Sequence, residues 1–331
     1  MMSYVQENQQ LFALGLLLFL TLAVLLFLQF LALCYGQQLA TQIIRGWVMA
    51  KRYLSQNQVM ILFQSSHPKL FATLARRFDL RHFGGLSLTI LTAMMVYILA
   101  LFIGLVEDVA MLKPIVETDY FISGQMSLLR NSPIIGFFIH ITSFASTPMT
   151  VLVMLLTIAI CLVLRQPFAL LGLFIATVGS AAFTFLSKML FQRERPADIL
   201  LFEHTHSFPS GHATITLALY GFITYLLMRF SQNYVHKIRI FVMATFFMVL
   251  IGLSRIVLNE HYLSDVLGGY LVGGLWLTFA ISVTEWLSAK GKIDWQVEWS
   301  ANHIYLVWLS GVAIFISTIL YATFFQFPLL S

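Results

Sequence analysis

Charged side chains are scarce. They make up 10% of the 331 residues, where soluble proteins carry about 25%. That shortage excludes an ordinary water-soluble globule, and the 59% share of hydrophobic residues points to an integral membrane protein. The net charge is only +5, so no nucleic-acid partner is expected; basic residues flanking apolar spans are the ordinary membrane pattern. There are two cysteines, Cys34 and Cys161, both in or beside apolar runs. This excludes a disulfide framework or a zinc spacing, and both are expected to be buried, inert thiols. The first residues, MMSYVQENQQ, lack the basic stretch that opens a signal peptide. The apolar run after them is longer than a signal's core, so a retained span is expected. Internal repeats and low-complexity tracts are absent as well.

What is abundant is long apolar sequence. A membrane-crossing helix needs about 20 such residues. Eight candidates meet this: Leu11–Tyr35, Leu86–Val106, Pro148–Leu164, Phe168–Ser187, Ala213–Phe230, Ile238–Val257, Val266–Trp286 and Ile304–Phe325. The fold class expected is all-α, a polytopic bundle of about eight transmembrane helices. The third apolar stretch begins near Pro133, and Thr147-Pro148 marks a break or helix start. Residues Ile134–Ser146 are therefore expected at the interface, ahead of the span.

The basic residues orient these spans. With the N-terminus outside, the loop Gly36–Gly85 is cytoplasmic and holds Arg45, Lys51, Arg52, Lys69, Arg76, Arg77 and Arg81. Arg165, Arg229, Lys237, Arg239, Lys290 and Lys292 fall on the same side, making thirteen of the nineteen basic residues. Lys113, Arg130, Lys188, Arg193, Arg195 and Arg255 fall outside. Both termini are then extracytoplasmic. In the segment Gln37–Phe83, the stretches TQIIRGWVMAKRYL and HPKLFATLARRF space apolar residues helically between basic ones. They suit either a helix lying on the membrane surface or a cytoplasmic helical connector.

Three polar clusters sit at the outer ends of spans, all on one side: Lys188 with Arg195-Pro196, then Pro209-Ser210-Gly211-His212, then Ser254-Arg255 with His261 and Asp265. Lysine and arginine together suit a tetrahedral phosphate, as a mobile point charge and a planar fork. Basic residues snorkelling at the interface are the simpler explanation, but this side of the membrane disfavours them. Pro-Ser-Gly before an apolar helix reads as a helix start, and helix N-termini attract anions. Gly211 permits close backbone approach, Ser210 adds a hydroxyl, and His212 in the first turn can exchange a proton with a bound group. His261 and Asp265, four apart, would share one helix face, and a carboxylate on one imidazole nitrogen raises the basicity of the other. That suits a histidine acting as nucleophile or base.

The outward acidic residues Glu107, Asp108, Glu117, Asp119, Glu194, Asp198, Glu203 and Glu260 lack metal-ligand spacing. Three cations and a helix N-terminus can balance a phosphate's charge, so neither a metal nor another cofactor is expected. Gly269 and Gly273 form a GxxxG, expected to mark close helix packing.

The pattern K-x6-RP, PSGH, SR-x5-H-x3-D, present here without a substitution, resembles the type 2 phosphatidic acid phosphatase superfamily, the lipid phosphate phosphatases. The stretch His67–Trp286 is also similar to the phosphatase half of bacterial proteins that fuse a DedA-like membrane domain to this phosphatase; the DedA-like part is not evident. The resemblance implies a six-helix phosphatase core over residues 114–286. Residues 1–85 would then be a transmembrane helix and basic connector, 86–113 a helix leading into the core, and 287–331 a cytoplasmic loop and last helix. It implies that His261 attacks phosphorus and carries a phosphohistidine, that Asp265 orients it, and that His212 protonates the leaving oxygen and then activates water. Lys188, Arg195, Ser210, Gly211 and Arg255 would hold the phosphoryl oxygens. The residues alone do not decide which histidine is the nucleophile; the resemblance assigns it.

The expected activity is hydrolysis of a lipid phosphate or pyrophosphate at the extracytoplasmic face of a bacterial inner membrane. Undecaprenyl pyrophosphate, phosphatidylglycerol phosphate, phosphatidic acid and lipid A phosphates all suit the charge of the site. A phosphotransferase using the same phosphohistidine is the alternative. A non-enzymatic lipid binder or transporter is a third reading, but it does not require two histidines and a spaced aspartate.

Overall fold

Proline marks where the helices begin. Pro68, Pro114 and Pro148 each occupy the first turn of a helix, where the missing N–H has no helical partner to lose. A computed structural model describes residues 2–80, 82–201 and 205–324, with side chains from residue 7 onward. Arg81, Glu203 and Phe325 lie outside the described residues. The helices are α1 (Met2–Gln56), α2 (Gln58–Ser66), α3 (Pro68–Arg77), α4 (Leu86–Ala110), α5 (Pro114–Ser127), α6 (Ile134–Ser143) and α7 (Thr147–Val163). They continue as α8 (Ala169–Phe191), α9 (Gly211–Phe230), α10 (Tyr234–Val257), α11 (Leu263–Ala289) and α12 (Ala301–Phe324). No strand occurs among the described residues. Single π turns interrupt α8 at Ile175–Gly179 and α9 at Thr216–Tyr220.

Among the described residues, seven helices are long and apolar enough to cross a membrane, and the bent pair α6–α7, angled by 44°, makes an eighth if counted as one span. Large apolar side chains such as Phe12, Phe19, Phe27 and Trp308 are exposed on the outside of the bundle. Water would penalise that surface, whereas hydrocarbon does not. The protein is an integral membrane protein.

Two expectations change, and a third gains detail. The first span was expected to end at Tyr35, yet α1 runs on unbroken to Gln56. The sequence from Gly36 to Gln56 has no proline and holds four glutamines, so nothing stops the helix. Cys34 is exposed rather than buried, because it lies on the outward side of α1; Cys161 is buried. Residues Ile134–Ser143 form α6, whose Ile135, Phe138, Thr142 and Ser143 are buried in the bundle.

The polar clusters gather at one end of the bundle. α1 runs antiparallel to α10: Gln10 donates to Gln125 of α5 at one end, and the Tyr234 hydroxyl donates to the Ala32 carbonyl at the other. The N-terminal end of α1 therefore lies at the end that holds Asn259 and the third cluster, since Ser123 of α5 donates to Asn259. α12 starts at the opposite end, where the Trp299 indole N–H donates to the Phe230 carbonyl.

α11 is the axis, packed against α4, α5, α8, α9 and α10. Gly269 and Gly273 let α9 cross it closely, as the GxxxG spacing suggested. A Cβ at Gly269 would lie 2.5 Å from the Ser210 carbonyl oxygen, and one at Gly273 would lie 2.5 Å from that of Thr214. Both contacts are with backbone, which cannot rotate away. Gly273→Val is expected to cost about 1–3 kcal/mol through overpacking. Thermal unfolding in detergent checks this, with Gly311→Ala as a neutral control, since a Cβ there meets nothing within 4 Å.

Candidate active site

The first cluster forms where the chain leaves α8. Lys188 is in the last turn, and Gln192, in left-handed backbone at φ 46°, closes the helix. The turn sends residues 193–196 across the end of the bundle. The Lys188 ammonium donates to Thr205 Oγ1 at 3.1 Å and to the His206 carbonyl. Arg195 donates from Nε to the Thr205 carbonyl at 2.7 Å and from Nη2 to Thr205 Oγ1 at 3.1 Å. Thr205, unremarked in the sequence, thus joins the two cations.

The second cluster follows directly. The Ser207 N–H donates to the Arg193 carbonyl at 2.8 Å. Phe208, buried against Phe102 and Phe191, precedes a cis peptide bond to Pro209. Ser210 is the N-cap of α9, and its N–H donates to the Asp265 carbonyl at 2.9 Å. This bond ties the start of α9 to the start of α11. The Ser210 hydroxyl is fully buried with no hydrogen-bond partner among the described residues. A Cβ on Gly211 would meet nothing within 4 Å, and His212 lies half-buried in the first turn.

The third cluster is made by the end of α10. Asn259 takes a left-handed φ of 54°, and the N–H groups of Glu260 and His261 both donate back to the Arg255 carbonyl. Arg255 and Glu260 are fully buried. Arg255 Nη1 donates to Thr142 Oγ1 of α6 at 2.9 Å. Glu260 Oε2 lies 3.7 Å from Arg195 and 3.8 Å from Arg255, so one carboxylate faces two of the cations.

His261 and Asp265 do meet, though not along one helix face as their spacing suggested. His261 precedes α11, and Asp265 is in its first turn. The reason is local: the Tyr262 N–H donates to Asp265 Oδ2 at 2.9 Å, capping the helix and turning the chain just after His261. The His261 Nδ1–Asp265 Oδ2 separation is 3.5 Å. Ser207 fills the gap: its hydroxyl donates to Asp265 Oδ2 and lies 3.3 Å from His261 Nδ1. On the other side of the ring, Arg195 Nη1 stands 3.5 Å from Nε2. Arginine can only donate, so this arrangement assigns the lone pair to Nε2 and the proton to Nδ1.

Arg193 and Asp119 complete the site, and sequence reasoning gave neither a role. Arg193 bridges Asp265 and Asp119. Burial disfavours its charge, but Asp265 and Asp119 outweigh that and hold the guanidinium above its ordinary pKa. Its guanidinium also lies 4.5 Å from the Tyr262 ring centre. Burial pushes the Tyr262 hydroxyl up to about 12, so it stays protonated. The available signal was charge: Arg193 is a cation on the side where cations are disfavoured, with outward acidic residues to pair it.

A cleft of about 390 Å³ opens beside Arg193 and Arg195, walled by Val106, Val109, Val116 and Phe208. Cations thus meet the apolar ends of α4 and α5. Wider clefts, of about 570 and 460 Å³, are lined mainly by apolar side chains elsewhere in the chain. Among the described residues, no three His, Cys, Asp or Glu side chains converge as metal ligands.

Part of the chain is similar to known proteins. Residues 169–289, which run from the start of α8 to the end of α11, match the family model described as the PAP2 superfamily. Phosphatidylglycerophosphatase B of Bacillus subtilis (strain 168) is 38% identical over 77 residues, 22% of this chain and 37% of that protein. The match thus spans little more than a third of that relative's length. The crystal structure of a transmembrane PAP2-type phosphatidylglycerolphosphate phosphatase from Bacillus subtilis is also similar. Its TM-score is 0.53 at 25% identity, over 59% of this chain and 97% of that one. Residues 169–289 are thus similar to the PAP2 or type 2 phosphatidic acid phosphatase superfamily.

Proposed function

We propose that the protein hydrolyses a lipid phosphate at the extracytoplasmic face of a bacterial inner membrane. The observation that carries this reading is the setting of His261. One ring nitrogen faces the Ser207–Asp265 relay, and the other faces Arg195. In this mechanism Nε2 attacks phosphorus, forming an N–P bond as the P–O bond to the lipid breaks. His212 gives a proton to the departing lipid oxygen. Water then attacks phosphorus, His212 takes its proton, and the N–P bond breaks to release inorganic phosphate. Positive charge that develops on the ring is shared through Ser207 with Asp265. Lys188, Arg195, Arg255, the Ser210 hydroxyl and the Gly211 amide hold the phosphoryl oxygens as charge shifts onto them.

The cations supply the charge balance that a metal ion provides elsewhere, so the reaction proceeds without one. A lipid substrate fits a cleft whose cations adjoin apolar helix ends. The phosphate stays in water while the chains stay in hydrocarbon. The orientation follows from the basic residues gathered at the opposite end of the bundle. The domains divide as 1–85, 86–113, 114–286 and 287–331, with the chemistry in the third.

Phosphate release by purified protein on a panel of lipid phosphates tests this. Phosphatidylglycerol phosphate, phosphatidic acid and undecaprenyl pyrophosphate are assayed with and without EDTA. Release from at least one lipid, unchanged by EDTA, is the expected result. No release from any, or loss of release in EDTA, would overturn the mechanism.

A further inference from the structure

Two buried carboxylates share one guanidinium beside His261. Arg193 donates from Nη1 to Asp265 Oδ1 at 2.6 Å and from Nη2 to Asp119 Oδ2 at 2.8 Å. Nη1 also reaches Ser264 Oγ at 2.7 Å. Both aspartate side chains are fully buried, and that of Arg193 is 14% exposed. Asp119, from α5, also accepts the Ser264 N–H on Oδ1 at 3.0 Å, so it anchors the first turn of α11. The Arg193 carbonyl accepts the Ser207 N–H. One residue therefore fixes both neighbours of His261 Nδ1: Asp265 through its side chain, and Ser207 through its backbone.

We infer that Arg193, clamped by Asp119, is a positioning residue for phosphoryl transfer: it locks the Asp265 carboxylate so that Oδ2 faces the Ser207–His261 relay. The inference rests on the hydrolase reading above. With Oδ1 bound to Arg193, the carboxylate cannot rotate to present a different edge. The second fork nitrogen, on Asp119, stops the guanidinium from swinging toward the cleft. Arginine suits this post because its planar donors reach two carboxylates at once in a fixed geometry, which a lysine's point charge does not reproduce. Lys188 and Arg195 differ, since both converge on Thr205 rather than on a pair of buried aspartates.

Kinetics on a lipid phosphate that the wild type hydrolyses test the inference. Arg193→Ala is expected to lower kcat about 10–100-fold, the range for losing a group that orients a functional histidine's partner. KM should stay within about twofold, because the substrate phosphate is held by other residues. In an Asp265→Asn background, adding Arg193→Ala should cost less than about threefold, since both changes act through one carboxylate. Asp119→Asn keeps the shape, frees one fork nitrogen and should lower kcat with KM unchanged. It carries the test if Arg193→Ala does not fold. An unchanged kcat in both variants overturns the inference. So does a raised KM with kcat intact, or a full additional loss in the Asp265→Asn background. If both variants fail to fold while Asp265→Asn folds normally, the network is structural and the inference falls. A wild-type protein that releases no phosphate from any lipid would instead overturn the hydrolase reading itself.

Discussion

His261→Ala is expected to lower phosphate release by about 10³-fold or more while leaving the bundle folded, because in the proposed mechanism it removes the nitrogen that forms the N–P bond. The ring is almost fully buried, yet the structure around it does not depend on it. The turn at residue 261 is made by backbone bonds from Glu260 and His261 to the Arg255 carbonyl, and alanine keeps them. Ser207 still has Asp265 to bond. Rapid acid-free quenching with labelled substrate gives a direct readout. Wild-type protein should carry label on histidine, and His261→Ala should carry none. Asp265→Asn should accumulate label more slowly, since the ring loses its counter-charge but keeps its nucleophilic nitrogen. His212→Ala should differ again: labelling slows, and the adduct, once formed, outlives that of the wild type because water is not activated. A His261→Ala protein that still turns over would reverse the two histidines' roles or exclude the phosphohistidine altogether.

Residues close in sequence were the legible part of the site. Lys188 with Arg195, Ser210 with His212, and Arg255 with His261 and Asp265 each lie within ten positions of one another, so spacing alone grouped them. The side chains that brace the clusters were not legible. Thr205 links Lys188 to Arg195, Ser207 stands between His261 and Asp265, and Thr142 holds Arg255 from α6. Hydroxyls are common in any membrane helix or loop, and nothing local separates these three from the rest. Asp119 was visible as an outward acidic residue, but its partners lie 74 and 145 positions away. The helical fold itself was easier to read, because apolar length determines it. The extent of α1 was misread for a related reason: polarity after Tyr35 does not end a helix that meets no proline before Gln56.

Glu260 shows how one buried acid can matter more to folding than to chemistry. Its carboxylate is fully buried, accepts the Leu201 N–H and faces both Arg195 and Arg255. The separations of 3.7 and 3.8 Å exceed hydrogen-bond length, so its role toward the arginines is to balance charge. Removing it leaves two guanidiniums close together in a site with little water. Glu260→Ala is expected to destabilise the protein by about 3–5 kcal/mol, the range for breaking a buried ion pair from one side. Glu260→Gln should cost less, because its amide oxygen still accepts from Leu201 and its side chain still fills the buried space. A phosphate in the site would restore part of the lost negative charge. Inorganic phosphate should therefore raise the thermal midpoint of Glu260→Gln more than that of the wild type, since a ligand stabilises in proportion to its affinity for the native state. Equal shifts in the two proteins would mean that Arg195 and Arg255 do not face the phosphate. The site would then have to be rebuilt around Lys188 and the N-terminus of α9.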